Sequence, residues 1–299
     1  MQTNLVIMDT KLALLVIFNH RFDKNIPIID DLYKDKFSHV FHLVPFYDGD
    51  KENVIPVYET SYHFQSYISQ AYTHLKDKGF THYFIVADDM LINPKINENN
   101  LWDEIGVRKD ECMYPSEFWI LQQLKENWSW MDNVLHYKVK QKGVEIENIL
   151  PSRKEAERKF AKFNIPTSKI PLACIYQRPF KQLLFHLPRL PFSRTLDYPL
   201  VAGYSDIFMV TSTVMDDFCK YCGAFAATNL FVEAAIPTSL VLASDRIKFD
   251  KNLKLHYGAL WYDELHKFEE KYSFSLTKLL NEYPEDKLFL HPIKLSKWK

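Results

Sequence analysis

Leu12-Ala-Leu-Leu-Val-Ile-Phe18 is apolar without a break and stops at Asn19 and His20. A run this short cannot cross a bilayer, which takes roughly 20 apolar residues. As a strand it must be covered on both faces, the condition met by a parallel sheet sandwiched between helices. His39-Val-Phe-His-Leu-Val-Pro-Phe46 repeats the pattern and ends in the turn composition Tyr47-Asp48-Gly49-Asp50. Thr81-His-Tyr-Phe-Ile-Val-Ala87 repeats it again and delivers Asp88 and Asp89 to its carboxyl end, the edge at which open α/β sheets bind ligands. Between the last two runs, Phe64, Tyr67, Ile68, Ala71, Tyr72 and Leu75 recur at the spacing of one helix face, with Gly79 as a helix stop.

Strand, strand, helix and strand in this order argue for an α/β fold whose first part is a nucleotide-binding half. The chain has only seven glycines and no glycine-rich phosphate loop, which argues against dinucleotide dehydrogenases and P-loop NTPases. Its 37 Lys and Arg nearly balance its 38 Asp and Glu, so no global charge marks a nucleic-acid binder. Cys112, Cys174, Cys219 and Cys222 are too few and too unevenly spaced for a disulfide framework, as expected of a cytoplasmic protein. Cys219 and Cys222 form a lone C-x-x-C, read either as ordinary helix positions or as half of a metal or redox site.

Further along, the spacing of Phe118, Leu121, Leu124, Trp128, Met131 and Leu135 predicts a long helix from Glu117 to about Lys140. Ser152 with Glu155 reads as a capping box. From Arg158 to Arg194 there are eight Lys and Arg and no acid, interleaved with Phe and Leu from Phe180 onward. This stretch reads either as a solvated basic face or as a contact with an anionic membrane surface. An interrupted strand pattern follows over Tyr198 to Val210, with Asp206 inside it, then helical patterns over Val214–Tyr221, Asn229–Leu242 and Trp261–Leu280.

Two adjacent carboxylates at a strand end suit a hard divalent cation, which prefers oxygen ligands and can clamp a substrate diphosphate. With Phe84-Ile-Val-Ala-Asp-Asp89 as the carrying residues, the chain resembles the GT-A glycosyltransferases, which transfer sugars from nucleotide diphosphates. Their usual acidic motif is Asp-x-Asp. Here it is Ala87-Asp88-Asp89, which makes Asp89 the expected metal ligand and Asp88 a donor-binding or supporting residue. His291-Pro-Ile-Lys294 is similar to the late segment in which such enzymes supply a histidine to the metal and a basic residue to the phosphates. The resemblance therefore implies Mn2+ or Mg2+ on Asp89 and His291, and the donor on Asn19, His20, Asp88 and Lys294.

The segment from Gly203 to Phe208 and that from Asn229 to Glu233 resemble the acceptor-side half, offering Asp206 and Glu233 as catalytic carboxylates. Glu233 lies among apolar residues in a predicted helix, so it must be functional or paired, for instance with Arg246. His256 and Tyr257 are further candidates to line the donor pocket.

The resemblance implies one GT-A-like domain over 1–299, an α/β fold with a Rossmann-like mixed sheet flanked by helices and a helical or irregular insertion. A nucleotide-sugar half spans 1–110, a helical and basic insertion 111–197, and an acceptor-side half with the metal and phosphate segment 198–299. The implied activity is transfer to a glycan or lipid-linked acceptor in bacterial surface-glycan synthesis, in the cytoplasm or peripherally at the inner membrane face. The alternatives are a metal-dependent phosphoesterase or nucleotidyltransferase using the same acids, and a non-catalytic glycan- or membrane-associated binding protein.

Overall fold

A computed structural model describes residues 10–124, 128–146, 148–171 and 193–299. The strands are β1 (Leu12–Ile17), β2 (Val40–Pro45), β3 (Val54–Val57), β4 (His82–Ala87), β5 (Leu91–Ile92) and β6 (Cys112–Tyr114), then β7 (Ile170–Pro171), β8 (Ser193–Arg194), β9 (Ile207–Thr211), β10 (Ile247–Phe249) and β11 (Phe289–Leu290). The helices are α1 (Ile26–Tyr33), α2 (Gln65–Leu75), α3 (Leu101–Ile105), α4 (Met131–His136), α5 (Arg153–Lys162), α6 (Ser212–Ala227), α7 (Val232–Ala243), α8 (Tyr262–Tyr272) and α9 (Leu276–Asn281).

Seven strands form one sheet in the order β10-β6-β9-β4-β1-β2-β3. The expected α/β architecture is present, and all three sequence segments contribute strands to the same sheet. β1 pairs in parallel with β2 and β4, and β2 with β3. β9 runs antiparallel to both β4 and β6, while β10 is parallel to β6, so β9 alone is reversed. Every residue of β1 and β4 is buried, as their continuous apolar sequence requires. One face is covered by α1 and the C-terminal segments, the other by α2, α6 and α7. A satellite core gathers α4 and α5 against α7.

Two helical expectations are corrected. Among its described residues the stretch 117–140 holds only the short α4. Its rings serve separate partners: Trp119 pairs its backbone with Ala202, and Trp130 stacks on Phe231 at 3.8 Å. Core contacts spread along an irregular chain can imitate helix spacing. The helix over Trp261–Leu280 is divided into α8 and α9, because Ser273 and Phe274 take left-handed φ of 51° and 56° and the Ser275 hydroxyl caps α9 by accepting from Lys278 N–H. The capping box of Ser152 and Glu155 forms as expected.

Candidate active site

β1 leads to β2 and β3 on one side, whereas β4 is followed by β9 and β6 on the other. The carboxyl ends of β1 and β4 therefore flank the point where the strand order reverses, at which open α/β sheets form a ligand crevice. Asn19 and Asp88 sit there together: Asp88 N–H donates to Ile17 O at 2.8 Å, and Asn19 N–H lies 3.4 Å from Asp88 Oδ1. Burial pushes the Asp88 carboxyl up to about 7, aided by the neighbouring Asp89 charge and opposed by Asn19 N–H and the Asn25 side chain. His20 projects as an exposed residue beside them.

The reversed β9 starts at the edge where β4 ends, and this brings in Asp206, whose carbonyl accepts from Ala87 N–H at 2.9 Å. The C-terminal segment is drawn in by the antiparallel pairing of β11 with β5, just beyond the two aspartates. Ile293 N–H then donates to Asp89 O at 2.6 Å. Gly258 makes this return possible, since a Cβ there would collide with the Phe289 carbonyl oxygen. The outcome is that His291 Nε2 stands 2.9 Å from Asp89 Oδ1 while its Nδ1 stands 2.7 Å from the Tyr204 hydroxyl. Lys294 is exposed at the rim, and its charge reaches Asp89.

These groups titrate together. Burial raises Asp89, but the imidazole of His291 and the charge of Lys294 more than offset it and hold the carboxyl below its ordinary range. Burial lowers His291, and Asp89, Asp206 and Asp88 overcome that and raise it. Asp206 is raised by burial and by Asp89, while His291 and the Tyr204 hydroxyl pull it back. Glu233, in the first turn of α7, accepts a hydrogen bond from Trp128 Nε1 at 2.6 Å. Burial raises it to about 7, with the Trp128 bond lowering it and the Asp206 charge adding to the rise. The pairing of Glu233 with Arg246 does not form, since Arg246 bonds Asp110 instead.

Thus Asp88, Asp89, Asp206 and His291, chosen from sequence, interact in one cluster, and Glu233 lies within reach of the Asp206 charge. Tyr257 is half-buried close to the Asp206 charge, whereas His256 pairs with Asp250 at 3.7 Å. Tyr204, against His291, and Trp128, against Glu233, touch the candidate site residues without being chosen for chemistry from sequence. Tyr204 lies two residues before Asp206, but both precede β9, so strand alternation does not announce it.

Among the described residues no three His, Cys, Asp or Glu side chains are grouped to hold a metal ion. Asp89 and His291 are a pair of suitable donors. Asp89 Oδ1 is buried and has His291 Nε2 2.9 Å away as its ion-pair partner. These two residues would hold a divalent cation, one through a carboxylate oxygen and the other through an imidazole nitrogen.

Other candidates fall elsewhere. Cys112, Cys219 and Cys222 are buried free thiols, and Cys174 lies outside the described residues. Of the basic stretch, Lys159 and Lys162 pair with Asp245, and Arg194 approaches His136, while Arg178, Lys181 and Arg189 lie outside the described residues. No helix among the described residues is long and apolar enough to cross a membrane. A cleft of about 1010 Å³, lined by His82, Arg108, Thr211 and Arg246 among others, opens at the opposite edge of the sheet and contains none of the residues chosen for chemistry. Compared with known proteins, the chain matches no family model and no curated sequence.

Proposed function

We propose that the chain is a GT-A-type glycosyltransferase that moves a sugar from a nucleotide-diphosphate-sugar to a hydroxyl of a glycan or lipid-linked acceptor. The observation that carries the reading is the meeting of Asp89 and His291, from opposite halves of the chain, 2.9 Å apart at the topological switch point. Support also comes from the acid at the end of β4, beside the strand that opens the sheet.

In this reading Asn19, His20 and Asp88 bind the nucleoside end of the donor, and Asp89 and His291 hold Mn2+ or Mg2+. A divalent ion there supplies charge neutralisation to the departing diphosphate. Lys294 adds a positive charge to the same oxygens. The acceptor oxygen bonds to the anomeric carbon as the bond from that carbon to the diphosphate oxygen breaks, and the nucleoside diphosphate leaves with the electron pair. Glu233 takes the acceptor proton; a carboxyl poised at about 7 is matched to that task near neutral pH. Asp206, which the charges of His291 and Asp89 both reach, is the second acceptor-side carboxylate.

The test is a thermal-shift screen of nucleoside diphosphates and nucleotide-sugars with and without Mn2+, since a ligand that binds only the folded chain raises its melting temperature. The reading expects a shift that needs the metal and disappears in Asp89→Ala. A screen without any metal-dependent shift contradicts it.

A further inference from the structure

The segment that enters α8 lies against the candidate site and carries two exposed aromatic rings. Ala259 bridges in parallel to His291, and Leu260 N–H donates to the His291 carbonyl at 2.7 Å. The next residue, Trp261, meets the ring of Tyr204 at 6.4 Å with the planes 83° apart, and is still 50% exposed. Tyr262 follows, 91% exposed and with a left-handed φ of 42°. A bulky residue takes that conformation only at a cost in backbone energy, and two adjacent rings left in water forgo burial. Packing accounts for neither feature, and both are what a binding surface requires.

The charges beside the rings select the ligand. Asp263 and Glu264 follow directly and are exposed, and α8 carries four acids against two lysines. An anionic membrane surface or the diphosphate of a donor is repelled there. A neutral pyranose suits both features: its slightly positive C–H bonds meet the negative face of an aromatic ring, and its hydroxyls donate to carboxylates.

We propose that Trp261 and Tyr262 are the acceptor subsite, stacking on a neutral sugar ring, free or lipid-linked. The inference rests on the transferase reading above and deepens it, since it names the chemistry of the acceptor and the rings that recognise it. The donor stays with Asn19, His20 and Asp88 at the ends of β1 and β4.

The experiment is saturation-transfer difference NMR of the full chain with the neutral methyl glycosides of glucose, galactose, mannose and N-acetylglucosamine. It is run beside the thermal-shift assay of nucleotide-sugars with Mn2+. Wild type should transfer saturation to the ring C–H protons of at least one glycoside. Trp261→Ala should weaken that binding about tenfold, and Trp261→Phe, which keeps a ring, should weaken it less. Tyr262→Gly should weaken it too without lowering the melting temperature, because glycine takes the left-handed φ freely. If Trp261→Ala does not fold, Tyr262→Gly decides. The metal-dependent donor shift should be the same in all three variants as in wild type. Glycoside binding that is absent from wild type, or equal in wild type and variants, overturns the inference and leaves the donor shift standing; self-association or binding to anionic vesicles that these substitutions abolish would then give the rings to a second copy or to a membrane. No metal-dependent donor shift in wild type overturns the transferase reading, and the acceptor assignment with it.

Discussion

Trp128 Nε1 donates to Glu233 Oε2 at 2.6 Å, and this bond holds a carboxyl that burial has pushed to about 7. A hydrogen bond to the charged form favours that form and is worth about 1.5–3 kcal/mol. Trp128→Phe should therefore raise the Glu233 pKa by about one to two units. The pH profile of sugar transfer, governed by the base form of Glu233, should show its acidic limb displaced upward by that amount. An unmoved limb would remove Glu233 from the role of proton acceptor.

Glu233 also makes stability depend on pH. Its folded pKa of about 7 lies above the ordinary 4.5, so between these values the folded chain binds more protons than the unfolded chain. Stability from this group is complete below pH 4.5 and is lost as pH rises through 7. Glu233→Gln keeps an acceptor for Trp128 and carries no charge. It should match wild type near pH 4.5 and exceed it by up to about 3 kcal/mol at pH 8, measured by urea unfolding.

Gly258→Ala tests the link between the C-terminal segment and the site. The added Cβ meets backbone, the Phe289 carbonyl oxygen, which cannot yield by rotating a side chain. The β5–β11 pairing should loosen and His291 withdraw from Asp89. The expected result is a melting temperature lower by several degrees together with loss of Mn2+ affinity. A variant with native melting and native affinity contradicts this account of how His291 is delivered.

Cys219 and Cys222 share α6 and are both buried, and burial pushes both thiols up, Cys222 to about 12. Thiolates are the reactive and metal-binding form, so both should resist a thiol reagent in the native chain and react only on unfolding. Zinc and chelators should leave the melting temperature unchanged. Rapid native labelling at these two positions would restore the redox or metal interpretation of the C-x-x-C.

Much of this architecture is legible in sequence where burial on both faces writes a continuous apolar run, as in β1, β2 and β4. Val54-Ile-Pro-Val57 forms β3 although four residues with a proline carry no such signal; its pairing with β2 creates it. α1 is masked by Pro27 and the exposed Asp31 in a short segment, although Ile26, Ile29 and Tyr33 face the core. At the site, Asp88 and Asp89 are announced by the strand before them. Tyr204, beside His291, and Trp128, beside Glu233, read as packing residues, since a sequence shows a ring's apolar area but not the carboxylate or imidazole that its polar atom will meet. That meeting depends on the reversal of β9 and the return of β11, both tertiary events.

The most direct test of the transferase account is release of nucleoside diphosphate from a panel of nucleotide-sugars incubated with Mn2+ and the chain. The account predicts release from at least one donor, reduced by two to three orders of magnitude in Asp89→Ala and in His291→Ala while both variants keep wild-type circular dichroism. No release from any donor, or release indifferent to both substitutions, would contradict it.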